Sequence, residues 1–338
     1  MLRQACLALV EEGGLQPDQL RAALETLMQG GFREAEAAAF LTALRLRGET
    51  ADDLATAVQV LRSHMIRLDA SNLQVLDTCG TGGDGSCSFN ISTTVGLVAA
   101  ACGVPVLKHG NRGASSACGS ADVLMALGVK ADAEPQVVLR CLQELGFGFC
   151  YAPRFHPALR HVAEIRRNLG FRTIFNLLGP LLNPAEAPFQ LIGVGRPEAL
   201  DTMASSLARL GGTTAILVHG ADGLDEVTLG GTTFVRRVRD GQVENLEWNP
   251  RHFGLPACSL AELRVAGVAD SAAEIRQILH GRPGPASDVV LANAAAALLT
   301  ARKVTDLRDG VEMARGALVS GAVRQLLENL VVASHQTV

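Results

Sequence analysis

From Val75 onward, short β-branched runs ending in glycine-rich turns alternate with helical segments, and few folds satisfy that alternation. QVLDTCG, VPVLKHG, FQLIGVG and TAILVHG read as strands entering loops; TTVGLVAAACG and EALDTMASSLARLGG read as helices. Such a pattern implies a mainly parallel sheet with crossover helices. TTFVRRVRDGQVENLEW, near residues 232–248, reads as a hairpin turning at Asp240-Gly241. Two helical segments, DVVLANAAAALLTAR and VEMARGALVSGAVRQLLENL, complete the chain, and neither an internal repeat nor a low-complexity tract interrupts it.

The first 70 residues follow a different pattern. LQPDQLRAALETLMQGG carries proline and aspartate at its start, leucines at helical spacing and a glycine pair at its end. FREAEAAAFLTALRLRGE and DDLATAVQVLRSHMIRL repeat that design, with an apolar stripe beside an Ala-rich face. These helices cover one another or a second copy of the chain. The predicted organisation is α/β: a small all-helical domain over 1–70, joined by a later helical segment near 160–190, and a large α/β domain over 71–338.

Composition removes several classes of function. Of 338 residues, 48% are hydrophobic and 19% charged, the balance of a compact protein and not of a disordered one. A net charge of −4 and an aromatic content of 4% disfavour nucleic acid as a partner. No apolar run is long enough to cross a bilayer, and MLRQACLALVEEGG lacks the basic start and long apolar core of a signal peptide. Eight scattered cysteines without a C-x-x-C pair fit reduced thiols in a cytoplasmic protein. Cys79 and Cys87 sit in the first glycine loop, but neither has a neighbouring histidine to make it a thiolate.

In open α/β sheets ligands bind beyond the carboxyl ends of the strands, so the loops there carry the functional reading. The first, CGTGGDGSCSFNIST, packs Gly80, Gly82, Gly83 and Gly85 around Asp84. Its G-x-G-x-x-G spacing matches the dinucleotide fingerprint, but the acidic residue expected about 20 positions on is replaced by Lys108 and His109. Lysine suits a phosphate, not a ribose diol. Asp84 would repel a bare pyrophosphate unless a metal ion lay between them. No Gly-Lys-Ser/Thr follows, so the loop is not a Walker A motif. What remains is a loop whose backbone N–H groups approach a phosphorylated ligand, with Asn90, Ser92 and Thr93 at the next helix N-terminus. A plain turn capped by Asn90 or Ser92 is the simpler alternative.

KHGNRGASSACGS supplies Lys108 and Arg112, with Asn111 between them and Ser115, Ser116 and Ser120 beyond, an anion-binding pattern or else a solvated basic turn. HGADGLDE sets Asp225 beside Glu226, which suits Mg2+ and equally suits an acidic turn. Arg160, Arg166, Arg167 and Arg172 stud the segment HPALRHVAEIRRNLGFRTIFNLLGPLLNP; most read as surface arginines, and spacing alone does not say which would clamp a carboxylate. His109 and His156 read as structural or positioning groups before general bases.

DTCGTGGDG, FNIST, KHGNRGASS, the HPALRHVAEIRRNLGFRTIFNLLGPLLNP block and DGLDE, in this order and spacing, resemble the anthranilate phosphoribosyltransferase family over essentially the whole chain. The resemblance implies a nucleoside phosphorylase/phosphoribosyltransferase-like fold. It implies a homodimer formed through the helical part, a cytoplasmic location, and transfer of the phosphoribosyl group of 5-phosphoribosyl 1-pyrophosphate (PRPP) to anthranilate with two Mg2+ ions. It implies that Gly80, Gly83, Asp84, Ser88, Asn90, Ile91, Ser92 and Thr93 line the PRPP site. Lys108, His109, Gly110, Asn111, Arg112, Gly113, Ala114, Ser115 and Ser116, with Ser120, would cradle pyrophosphate and ribose. Asn111 and Arg166 would hold anthranilate, Ser92 would touch one metal, and Asp225 and Glu226 would hold the other. The family usually has threonine where this chain has Ser88, which keeps the hydroxyl, and the glutamine amidotransferase domain of some fused relatives is not expected here. Catalysis is expected from positioning and charge stabilisation by Lys108, Asn111 and Arg166, with domain closure excluding water and no strong general base. A nucleoside phosphorylase, a non-catalytic nucleic-acid-binding relative and a nicotinamide-dependent oxidoreductase are the rival readings.

Overall fold

A computed structural model describes residues 1–113 and 118–336 of the chain. The N-terminal part folds as α1 (Leu2–Leu7), α2 (Pro17–Gln29), α3 (Glu34–Arg47) and α4 (Ala51–Ser63). Local chemistry sets their ends. Pro17 opens α2, where a missing N–H leaves nothing unpaired. Thr50 caps α4: its hydroxyl accepts from Asp53 N at 3.2 Å, and the Asp53 carboxylate accepts from Thr50 N at 2.7 Å.

The remainder runs β1 (Leu76–Asp77), α5 (Ile91–Ala101), β2 (Val106–Gly110), α6 (Ser120–Ala126), α7 (Pro135–Leu145), β3 (Phe147–Tyr151), α8 (Ala152–Phe155), α9 (Arg160–Leu169), α10 (Phe175–Leu178), β4 (Phe189–Gly193), α11 (Pro197–Leu210), β5 (Thr214–Gly220), β6 (Thr233–Arg239) and β7 (Gln242–Trp248), then α12 (Pro250–Phe253), α13 (Val268–Leu279), α14 (Pro285–Thr300), α15 (Leu307–Val319) and α16 (Ala322–His335). The seven strands form one sheet in the order β3-β2-β1-β4-β5-β6-β7. β1 to β5 are parallel; β6 and β7 form the expected antiparallel hairpin, with Asp240 (φ 51°) and Gly241 (φ 73°) both left-handed in its turn. The chain leaves β1 towards β2 and leaves β4 towards β5, so a crevice opens above β1 and β4.

More than three elements differ from the sequence reading: α6, α7 and α12 have no counterpart in it, and three further differences have a physical reason. FGFCY, too short and glycine-broken to stand out as a strand, becomes β3. α13, whose sequence mixes polar and apolar residues, carried no motif. The C-terminal segment splits into α15 and α16 at Gly321, which takes φ +79°.

Two apolar clusters hold the molecule together. The larger gathers α5, α6, α7 and α14 to α16 against the sheet. The second joins the N-terminal helices to α9, α10, α11 and the sheet residues Ile192, Val194, Ala215 and Leu217. α14 is buried along most of its length, and its alanines let neighbours approach closely. Asn293, within that apolar helix, accepts from Val227 N at 2.8 Å and donates to Val227 O at 2.9 Å, pinning the loop after β5. Gly310 of α15 lies so near α14 that a Cβ there would stand 2.8 Å from Ala295 Cα. Helix propensity favours Gly310→Ala by about 1 kcal/mol, but overpacking costs about 1–3 kcal/mol. The variant will unfold at lower urea concentration with an unchanged slope, opposite to what propensity dictates.

Candidate active site

The crevice holds a cavity of about 360 Å3. Its walls come from the first glycine loop, the end of β2, the segment from His156 to Leu182, Leu61 of α4, and the Asp225-Glu226 turn. Close backbone approach builds its floor. Thr81 N donates to Gly193 O at 2.8 Å, and a Cβ on Gly80 would lie 2.9 Å from that same oxygen. A Cβ on Gly193 would in turn overlap the Asp225 carbonyl. Only glycine permits this stacking of three loops at the switch point.

Lys108 is 2% exposed, and its Nζ donates to Thr78 O at 2.7 Å and to Ser92 Oγ at 3.2 Å. The carboxyls of Asp77 and Glu226 feel its charge. Ser92 N donates to Glu226 Oε1 at 3.1 Å, Asp225 N donates to Asp84 Oδ2 at 3.2 Å, and His109 N donates to Asp77 Oδ1 at 3.0 Å. Burial pushes Glu226 up to about 7, against the pull of Lys108. Burial, then the charges of Asp84 and Glu226, raises Asp225 well above the usual carboxylate range. Among the described residues no three His, Cys, Asp or Glu side chains cage a metal by themselves. Carboxylates of this kind, with the Ser92 hydroxyl close by, fit an Mg2+ ion that keeps most of its coordination for water and phosphate oxygens.

The aromatic side of the cavity is walled by His109, His156, Phe175, Gly179 and Pro180. His109 Nδ1 lies 3.0 Å from Gly179 O, and its Nε2 lies 3.2 Å from His156 Nε2. Burial pushes His109 down to about 3 and His156 to about 4, so both rings are neutral at pH 7. Arg166, near the end of α9, reaches this wall with its guanidinium 5.3 Å above the Phe175 ring. Burial lowers its pKa, and among the described residues no carboxylate pairs with it. Arg160 and Arg167 are exposed. Arg172 Nη2 donates instead to Gly82 O at 3.1 Å, in the space that a Cβ on Gly83 would need. Of the four arginines on this segment, Arg166 alone lines the cavity.

Gly80, Gly83, Asp84, Ser88, Asn90, Ile91, Ser92, Lys108, His109, Gly110, Asn111, Arg112, Gly113, Ser120, Arg166, Asp225 and Glu226 all line the one cavity. Thr93 does not; it is completely buried, and helical rotation turns it away from Ser92. Ala114, Ser115 and Ser116 lie outside the described residues. Burial pushes the Cys79 thiol up to about 12, which leaves it protonated at neutral pH. Sequence reasoning overlooked Asp77 and Asn183, whose Nδ2 donates to Asp77 Oδ2 at 2.8 Å, and the walls Gly179 and Pro180. The NLLGPLLNP run held that signal, since turn chemistry of Gly, Pro and Asn inside an apolar stretch serves close packing.

Profiles of known families match both parts of the chain: "Glycosyl transferase family, helical bundle domain" over residues 3–65 and "Glycosyl transferase family, a/b domain" over residues 72–324. The anthranilate phosphoribosyltransferase of Thermomicrobium roseum is 50% identical over 325 residues, 95% of this chain and 93% of that protein. The anthranilate phosphoribosyltransferase of Thermus thermophilus superposes with a TM-score of 0.92 at 42% identity, over 98% of this chain and 99% of that one. The enzyme of Saccharomyces cerevisiae, solved in complex with PRPP and Mg, superposes with a TM-score of 0.91 at 28% identity, over 98% and 97%. Fold, cavity and likeness agree, and the chain belongs to the anthranilate phosphoribosyltransferase family.

Proposed function

We propose that this chain transfers the phosphoribosyl group of PRPP to the amino group of anthranilate, releasing pyrophosphate, as a step of tryptophan biosynthesis. One observation carries the reading: a desolvated arginine over an aromatic ring and a buried lysine–carboxyl cluster face the same cavity. The first suits an aromatic carboxylate, the second a metal-bound diphosphate.

In this reading the glycine loop and the start of α5 receive the diphosphate through backbone N–H groups and the helix N-terminus. Two Mg2+ ions, one near Ser92 and one at Asp225 and Glu226, would neutralise the leaving pyrophosphate. Lys108 holds Ser92 and the end of β1 in register for that charge. Asn111 and Arg166 hold anthranilate so that its nitrogen faces the anomeric carbon. A bond forms from that nitrogen to carbon as the bond from carbon to the pyrophosphate oxygen breaks, and the amine then loses its proton. The His109 and His156 rings are turned to each other and to Gly179 O, so they shape the pocket and do not act as a base. The exposed Leu7, Val10 and Leu46 on the helical part, the last 83% exposed, support pairing of two copies there, and the homodimer would work in the cytoplasm.

Mixed with anthranilate, PRPP and Mg2+, the protein will consume anthranilate fluorescence, and excess chelator will stop the loss; folded protein that leaves the fluorescence unchanged rejects the reaction. Arg166→Ala will raise KM for anthranilate about tenfold or more and change KM for PRPP little; the opposite pattern rejects its role. Glu226 carries a pH signature. An acid whose pKa is higher folded than unfolded holds its proton longer in the fold, so the metal-free fold loses stability as pH climbs towards about 7. Glu226→Gln will therefore raise the Tm of metal-free protein at pH 8 by about 2–4 °C, will not raise it at pH 5, and will weaken Mg2+-dependent PRPP binding. Calorimetry across that pH range checks all three.

A further inference from the structure

We infer that Ser271, which lies outside every sequence motif, is a positioning residue: together with Cys118 it fixes the carboxamide of Asn90 so that its N–H edge is offered to an oxygen of the diphospho-sugar. The inference rests on the reading of the cavity as a PRPP site. Ser271 is fully buried near the start of α13 and 181 positions from Asn90. Its Oγ accepts from Asn90 N at 3.1 Å and donates to Asn90 Oδ1 at 2.8 Å. Cys118 Sγ donates to the same Oδ1 at 2.8 Å, while Cys118 O accepts from Asn90 Nδ2 at 3.3 Å.

These bonds leave one orientation for the amide. A backbone carbonyl only accepts, so the Cys118 carbonyl requires the NH2 group on its side. The Ser271 hydroxyl and the Cys118 thiol then both donate to the opposite oxygen. A flipped amide would set oxygen against oxygen at Cys118 and leave both donors facing an NH2 group. Asn90 Oδ1 is thereby filled, and the second Nδ2 hydrogen has no acceptor among the described residues. Asn90 lines the cavity as the N-cap of α5, where the helix end favours anions. The donor edge therefore reads a phosphate or ribose oxygen. Three segments meet at this side chain: α5, the end of the loop after β2, and α13. A helix with no ligand-facing motif thus sets the polarity of the site.

The test is a double-mutant cycle read by steady-state kinetics and by titration calorimetry with PRPP and Mg2+. Ser271→Ala should raise the PRPP KM and Kd about fivefold, the weight of the one hydrogen bond from Asn90 to the ligand, with kcat and the anthranilate KM within about twofold. Asn90→Ala should raise them at least as much, and Ser271→Ala should cost less in the Asn90→Ala background than alone, where only the bond from the residue-90 backbone N to Ser271 Oγ remains to be lost. Cys118→Ala should weaken PRPP binding and Cys118→Ser restore it, which keeps the test open should Ser271→Ala fold poorly. Equal costs of Ser271→Ala in the wild-type and Asn90→Ala backgrounds, or an unchanged PRPP Kd in both Ser271→Ala and Cys118→Ala, would overturn the inference. A parallel rise in the inhibition constant of pyrophosphate places the contact on the diphosphate; a rise confined to PRPP places it on the ribose part. Wild-type protein that binds PRPP without turnover overturns the reaction, and the calorimetric cycle still decides Ser271. Wild-type protein that does not bind PRPP overturns both.

Discussion

The buried ammonium of Lys108 is the interaction on which the rest of the site depends. A charge taken out of water is costly unless it is hydrogen-bonded and countered. Lys108 meets both conditions with groups drawn from distant parts of the chain: the Thr78 carbonyl at the end of β1, the Ser92 hydroxyl in the first turn of α5, and the nearby carboxyls of Asp77 and Glu226. Burial holds Asp77 up at about 6 and Glu226 at about 7, so these acids hold their protons more readily than surface carboxyls. Removal of the cation would leave buried acids uncountered on one side and a loosened α5 on the other. The knot is therefore both a fold constraint and the electrostatic floor of the cavity.

Around that knot, packing and polarity divide the work. Glycine supplies proximity: Gly80 against Gly193, and Gly193 against Asp225, bring loops from β1, β4 and β5 to one point. Asparagine supplies fixed direction. Asn293 locks Val227, next to the acidic pair, through both backbone groups; Asn183 ties Asp77 to Leu107 O. Each is a buried amide whose donor and acceptor edges are both used, the condition under which buried polar groups specify one arrangement and do not weaken the core.

Much of this was legible in the sequence, for identifiable reasons. The alternation from Val75 onward reported the parallel sheet because strands buried on both faces are short and β-branched. The Asp240-Gly241 turn marked the hairpin through its demand for two left-handed residues. The glycine loops, Lys108 and the Asp225-Glu226 pair were visible because ligand loops after strands concentrate unusual residues in a few positions. What stayed hidden was three-dimensional. Nothing local distinguishes Arg166 from Arg160, Arg167 or Arg172; only the packing of α9 against the helical part turns one inward over Phe175. Ser271 is an ordinary serine in an ordinary helix until a partner 181 residues away in sequence meets it. Thr93 looked like a continuation of Asn-Ile-Ser-Thr, and the roughly 100° turn per residue of a helix sends it into the core.

The segment from α9 to α10 gives the two ends of the cavity a common support. Arg166 stands on the aromatic wall, and Arg172 grips Gly82 O in the glycine loop. The helix that bears Arg166 packs in one apolar cluster with α2, α3 and α4, and that cluster continues through α11 to the sheet. One short segment thus touches both walls. Leu61 of α4 extends the same support into the cavity itself. A helical part that were a mere appendage would have its own closed core. Here its core is shared with the sheet face that ends in Ile192 and Val194, one residue to either side of Gly193, where the glycine loop crosses β4. The helices thus bear on both walls of the cavity, whose lining runs from Leu61 of α4 to the loops beyond the sheet.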